Sequence, residues 1–172
     1  VTLAKKKARG AKGSEAERLV RDFLEWSGWT VHRAAATGMV STGPGKWFVR
    51  SHDIFGCIDL VAFRRGGFPN EVWFLQVTTQ AGKTKRRRKL EPLPWPDSVR
   101  VSLVSHEAVP DPANRARRKN YLKVEDLKAV DGECGLGFTW FAPLALEFDR
   151  KVVEDWAKAK RADEKAKKAE AK

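Results

Sequence analysis

The strongest constraint on this chain lies in residues 52–79, where two apolar runs flank a turn. The first run closes on Ile58, Asp59, Leu60, Val61, Ala62 and Phe63, and the second is Val72, Trp73, Phe74, Leu75, Gln76, Val77 and Thr78. Between them, residues 64–70 hold two Gly, a Pro and an Asn, the composition of a turn, so the runs are expected to form neighbouring strands. Gln76 and Thr78 are two apart, and on a strand both point to one face. If the runs pair, that face can hold Asp59 as well. A bare carboxylate inside an apolar run is costly to bury, so Asp59 calls for a partner.

Such a carboxylate beside a polar pair at the mouth of a sheet is how many metal-dependent nucleases build their site. The plainer alternative is a hairpin whose polar residues mark strand ends. Charge favours a polyanionic partner: the formal net charge is +12 over 172 residues. Its distribution tempers that number, because five Lys/Arg fall in residues 1–12 and a net three positive charges in residues 151–172, leaving about +4 for the body. Within the body, basic residues cluster at Lys83, Lys85, Arg86, Arg87, Arg88 and Lys89, and again at Arg115, Arg117, Arg118 and Lys119. Both clusters suit phosphate contacts. Cys57 and Cys134 sit in no CxxC pattern and the three His are scattered, which excludes a zinc-ribbon reading and suggests reduced thiols. No run approaches 18 apolar residues and no secretory signal is visible, so the expectation is a soluble, cytoplasmic protein without a membrane partner.

In chain order, residues 1–12 read as a basic tail, disordered until it meets a partner. Ser14 and Glu17 form a capping box for a helix whose apolar face is Ala16, Leu19, Val20, Phe23 and Leu24, with Gly28 just past its end. A short strand follows at residues 29–33, then a small, Gly-rich loop over residues 34–47. After the basic run, Pro92, Pro94 and Pro96 forbid a helix and give an extended connector around Trp95. Residues 98–104 alternate like a strand, 106–120 read as a loop, and 121–130 as a short strand and then a short helix. Residues 138–141 make a plausible last strand, and from Leu144 the pattern turns helical, with residues 157–172 a charged, solvated helix or a frayed tail. The sum is an α/β domain over residues 13–156, a central mixed sheet flanked by helices, between two charged tails.

The opening Lys12, Gly13, Ser14, Glu15, Ala16, Glu17, Arg18, the segment from Gly28 to Ala34 containing Trp29, Val31 and Arg33, and Thr37-Gly38 resemble the start of archaeal-type Holliday junction resolvases. Asp59, Leu60, Val61 and Ala62, followed by a strand ending in a polar pair, are similar to the nuclease core of that family, a branch of the restriction-endonuclease-like PD-(D/E)XK superfamily. The match spans roughly residues 12–79. The resemblance implies that Glu17, Asp59, Gln76 and Thr78 are catalytic positions, with Glu17, Asp59 and Gln76 holding Mg²⁺ (or Mn²⁺). It makes Thr37 a hydroxyl residue near the DNA backbone and implies a homodimer acting on four-way junctions. DNA contacts are expected from Arg33 and from Lys83, Lys85, Arg86, Arg87, Arg88 and Lys89.

This sequence departs from the family where chemistry is most exacting. Gln76 stands in place of the second carboxylate, and its oxygen brings no negative charge to a magnesium ion. Thr78 stands in place of the lysine and supplies no cation. Asp53 is a candidate for added charge, and Lys83 or Lys85 for the missing cation, since a Lys stem is long and flexible. His52 lies beside the site, and Trp47 and Trp95 are candidates for stacking on an unpaired base as well as for core packing. Three functions remain open: a junction-cleaving endonuclease, compact in the manner of a phage enzyme; a branched-DNA-binding protein on the same fold that has lost cleavage; and a nuclease for other DNA structures. RNA binding is the weaker option, because Asp59 and Glu17 would repel a phosphate in the absence of a metal.

Overall fold

The computed structural model describes residues 9–34, 36–43, 46–51, 54–64, 71–96, 98–114, 116–132, 135–141 and 144–170. It is an α/β structure. A seven-stranded mixed sheet runs in the order β1 (Thr30–Arg33), β4 (Leu60–Arg64), β5 (Glu71–Thr78), β6 (Val99–Pro110), β7 (Arg118–Gly132) and β8 (Gly135–Trp140), and β9 (Leu144–Phe148) pairs with the first half of β7. Strands β1, β4 and β5 form an antiparallel meander, with Leu60 opposite Leu75 and Ala62 opposite Trp73. Strand β6 then lies parallel to β5, with Gln76 beside Leu103. A parallel neighbour demands a crossover, and helix α2 (Lys83–Leu90) provides it, entered through a short 3₁₀ turn at Gln80–Gly82. The two apolar runs thus pair as expected, as β4 and β5, and the segment with Pro92, Pro94 and Pro96 is non-helical as expected, although the helix before it, α2, was not foreseen.

The two faces of the sheet carry separate cores. Helix α1 (Arg9–Trp26) covers one face, where Leu19, Val20, Phe23 and Leu24 pack on Leu75, Val77 and Val104. Gly28 takes φ +88 and ends α1 in the left-handed conformation that glycine adopts without penalty. Helix α3 (Arg150–Glu170) joins this face through Val153 and Ala157, and ion pairs from Arg150 to Glu15, Lys160 to Glu25 and Arg161 to Asp22 tie it to α1. Helix α2 covers the other face, where Leu90 and Trp95 pack on Val101, Leu103 and Leu127.

Several expectations are corrected. Helix α1 begins at Arg9, so Ser14 and Glu17 lie inside it and form no N-terminal capping box. Helix α3 runs on through position 157 to Glu170, the helical alternative for the charged C-terminal segment. Within the Gly-rich segment, β2 (Ala36–Gly43) pairs antiparallel with β3 (Lys46–Ser51), Met39 opposite Val49 and Val40 opposite Phe48 in the register. Thr37 accordingly lies in β2 and Trp47 in β3.

The loop expected over residues 106–120 is mostly strand. Strand β6 continues to Pro110, at the strand end where a missing N–H disturbs the ladder least. The connection to β7 is a tight turn in which the Asp111 and Asn114 carboxyl and amide oxygens accept the backbone N–H groups of Ala113 and Ala116 at 2.9 and 3.1 Å. Residues 121–130 are strand throughout, since Leu122 and Val124 face one core and Leu127 the other. A strand buried on both sides loses the simple alternation that identifies it. The helix expected from Leu144 starts only at Arg150, after β9. Asp149 caps it, its Oδ1 accepting the N–H groups of Lys151 and Val152 at 2.8 and 3.3 Å.

Candidate functional site

On the face covered by α2, the register sets a row of side chains across the sheet: Gln76 on β5, Leu103 on β6 and Glu125 on β7. Asp59 adjoins the row, because its backbone N–H bonds to the Leu75 carbonyl at 3.0 Å and continues the β4–β5 ladder by one residue. Its own carbonyl accepts the Ala34 N–H at 2.9 Å, which fixes the end of β1 alongside. Asp59 is 9% exposed and Gln76 is fully buried. Burial at that depth requires internal partners.

Asp59 and Gln76 meet directly. Asp59 Oδ2 accepts the backbone N–H of Val77 at 2.8 Å and a second hydrogen bond from the Gln76 side-chain amide. The same amide nitrogen donates to the Val77 carbonyl at 3.1 Å. Two oxygens, one carboxylate and one backbone carbonyl, thus converge on a single point, and the amide N–H groups of Gln76 stand there. The Gln76 oxygen turns the other way, where Arg86 Nη1 approaches to 3.4 Å. A carboxylate can only accept hydrogen bonds, so in this arrangement Gln76 must present its nitrogen to Asp59.

The donor set bears on a divalent ion as follows. Magnesium takes oxygen ligands and is satisfied by one or two carboxylates with waters and phosphate. The Asp59 carboxylate and the Val77 carbonyl already aim at one point, and turning over the Gln76 amide would bring a third oxygen to it. The residues fit a weak site of low charge. Among the described residues no three His, Cys, Asp or Glu side chains gather in a cluster.

Glu17 and Arg33, expected in the catalytic and DNA-contacting sets, bond to each other at 2.7 Å across α1 and β1. This pair is at the exposed end of β1, one residue before the Ala34 amide that holds the Asp59 backbone. Thr78 follows Gln76 on β5, and its hydroxyl bonds only locally, to the Thr79 carbonyl at 3.3 Å. A Cβ built on Gly82 would come within 2.5 Å of that hydroxyl, so the 3₁₀ turn leading into α2 passes closely over Thr78. Asp53 and His52 lie outside the described residues.

The basic run is divided by the fold. Lys83 is 9% exposed and its Nζ bonds to Glu125 Oε1 at 2.6 Å, while Arg87 holds Glu125 Oε2 at the same distance. Lys83 is therefore corrected as a substitute for the family lysine and as a DNA contact: its charge is committed to a buried carboxylate. Lys85, Arg88 and Lys89 are exposed, with Arg86 half-buried over Gln76. Arg86, expected only as a DNA contact, reaches the Gln76 oxygen of the Asp59–Gln76 pair. Of the two readings of Trp95, core packing is the one observed: it is 9% exposed, sits in the α2-side core, and its indole N–H donates to the Leu90 carbonyl at 2.7 Å.

Glu125 escaped the sequence reading altogether. Its signal was an acid pair, Glu125 and Asp126, set between the apolar residues Leu122, Val124 and Leu127; Asp126 bonds to Arg100 through both oxygens on the opposite face. Burial by itself would raise the Glu125 carboxyl, but hydrogen bonds from Lys83 and Arg87 outweigh it and hold the group below the usual carboxylate range. Comparison of the chain with protein-family models, with curated proteins and with solved structures gives no match.

Proposed function

We propose that this protein is a metal-dependent, structure-selective endodeoxyribonuclease of the restriction-endonuclease-like class, acting on four-way DNA junctions. The observation that carries the reading is the meeting of Asp59 Oδ2, the Val77 carbonyl and the Gln76 amide at one point of the β4–β5 pair. Two further features support it: the succession of α1, a three-strand meander, the α2 crossover and a parallel strand, and the resemblance of residues 12–79 to archaeal-type junction resolvases. Magnesium or manganese held there would supply Lewis-acid polarisation of a phosphate and a more acidic water.

The chain's own residues take the following parts. Asp59 is the anionic ligand, kept in place by the Val77 N–H. Gln76 contributes a neutral oxygen once its amide turns over, and that turn releases Arg86. Arg86 is half-buried and always charged, so it can offer a phosphate the positive charge that Thr78 lacks. Exposed Lys85, Arg88 and Lys89 hold DNA through its phosphates, which selects shape more than sequence. Cutting two strands symmetrically calls for a homodimer.

A second reading has a specific observation in its favour. The chain of contacts from Arg86 to Gln76 to Asp59 satisfies each partner internally, as a branched-DNA-binding protein without cleavage would require. A gel assay on a synthetic four-way junction and a matched duplex, each with Mg²⁺, Mn²⁺ or EDTA, separates the two. Paired nicks on the junction alone, abolished by EDTA and by Asp59→Ala, are the expected result. Tight junction binding with no nick in either metal would leave the binding protein.

A further inference from the structure

Four residues before Asp59 the chain makes a turn with an unusual shape. The Ile54 carbonyl accepts the N–H groups of Cys57 and Ile58 at 3.2 and 3.0 Å, and between them Phe55 and Gly56 take φ of +56 and +71. Gly56 adopts this freely. Phe55 is the one non-glycine residue with positive φ among the described residues, a conformation that L side chains avoid. It is also 68% exposed, the most exposed large apolar side chain described. Strain and exposure together, beside a candidate site, point to a use for this ring.

The surroundings say what that use is. The Phe55 ring stands nearly perpendicular to Trp95, at 5.7 Å, and to Phe74, at 6.4 Å, so its angle is set from below. Trp95 is bonded to the Leu90 carbonyl at the end of α2, and the last turn of α2 carries exposed Arg88 and Lys89. An oriented, exposed aromatic ring adjoining a cationic helix end matches a nucleotide: base on the ring, phosphates on the cations. A duplex keeps its bases stacked on one another, whereas a branch point exposes them.

We infer that Phe55 is a stacking platform for an unpaired base where DNA strands branch, and so a determinant of structure selectivity. This rests on the proposed function and adds to it a residue outside the resolvase-like motifs. A second copy of the chain is the competing occupant, and the flanking cations argue against it.

The test is binding in EDTA, where cleavage plays no part, to a four-way junction and a linear duplex of the same arms. The junction carries 2-aminopurine at the branch. Phe55→Ala and Phe55→Asn are expected to lose roughly tenfold in junction affinity, the scale of one base on one aromatic ring, with duplex affinity unchanged. Both should also lose the quenching of 2-aminopurine, and Phe55→Trp should keep it. Phe55→Asn should melt no lower than the wild type, because Asn tolerates the left-handed backbone, which separates a binding role from a structural one. Equal losses on junction and duplex, or no loss on either, would overturn the inference. So would a change from dimer to monomer on sedimentation of Phe55→Ala. A wild type that binds neither DNA would sink the functional reading itself and the inference with it. A wild type that prefers the junction, matched by Phe55→Ala, would sink only the role of Phe55.

Discussion

Two buried carboxylates lie on the α2 face of this sheet, and they are treated in opposite ways. Glu125 is 2% exposed and gripped by two cations, Lys83 and Arg87. Asp59 is 9% exposed and receives a backbone N–H and an amide, both neutral. A carboxylate with two cationic partners is electrically closed and has nothing left to offer a metal ion. Glu125 thus holds α2 on the sheet through two cations, whereas the Asp59 carboxylate steadies the end of the β4–β5 pair through the Val77 N–H and the Gln76 amide.

Deleting the closed carboxylate should do the greatest harm to the fold. Glu125→Ala leaves Lys83 buried without a counter-charge, and a denaturant melt should show a loss of about 3–5 kcal/mol. Asp59→Asn should reverse the balance between stability and activity. It keeps the shape of the side chain and an oxygen for the Val77 N–H, so the fold should lose only about 1–2 kcal/mol. Junction cleavage, followed as single-turnover rate, should fall by roughly a hundredfold to a thousandfold. If Asp59→Asn proves the more destabilising of the two, the distinction between a structural and a functional acid collapses.

Gln76→Glu sharpens the comparison by placing a second carboxylate beside Asp59. Without metal the protein should lose about 1–3 kcal/mol, because the new carboxylate replaces the amide that donates to Asp59 and crowds a second negative charge against it, and Mg²⁺ should restore the melting temperature. A melting temperature indifferent to Mg²⁺ would count against a cation site between Asp59 and Val77. The pH profile gives a smaller effect. Glu125 has a carboxyl lowered in the folded state, so its share of stability is complete above the ordinary Glu range and drains away as pH falls through the lowered value. Acid melts of the wild type and Glu125→Gln should therefore converge at low pH and separate toward neutrality. Smallest of all is Lys160→Ala, which removes a half-exposed ion pair to Glu25 and should cost about 0–1 kcal/mol, diminishing as salt is added.

The parts legible in the sequence were those governed by local pattern. The hairpin announced itself through two apolar runs and a Gly/Pro turn, and α1 through its apolar spacing. Asp59 was conspicuous as a lone acid in an apolar strand, and Gln76 lay two residues from Thr78. What stayed hidden depended on partners far along the chain. Lys83 and Lys85 are alike as letters, yet Lys83 is buried because Glu125 lies across the sheet from it, forty-two residues on. Arg86 is distinguished from Arg88 only by the side of α2 that meets β5. Strand β7 serves two cores at once, which erased its alternation and left room for a helix in the reading. Phe55 gave no sign, since a left-handed backbone at Phe violates the residue preferences on which sequence reading relies.

The attachment of α3 has a consequence for how the molecule breathes. Val153 and Ala157 are its buried residues, and every side chain from Arg161 to Glu170 is exposed. Beyond the last ion pair to α1, nothing in the apolar core resists unwinding. Amide hydrogens in the distal half of α3 should exchange with solvent through local fraying, while those near Val153 wait for the helix to lift off α1 as a unit. The cross-helix ion pairs would then set the free energy of that lifting, so the opening should become easier with ionic strength while the central strands exchange only through global unfolding.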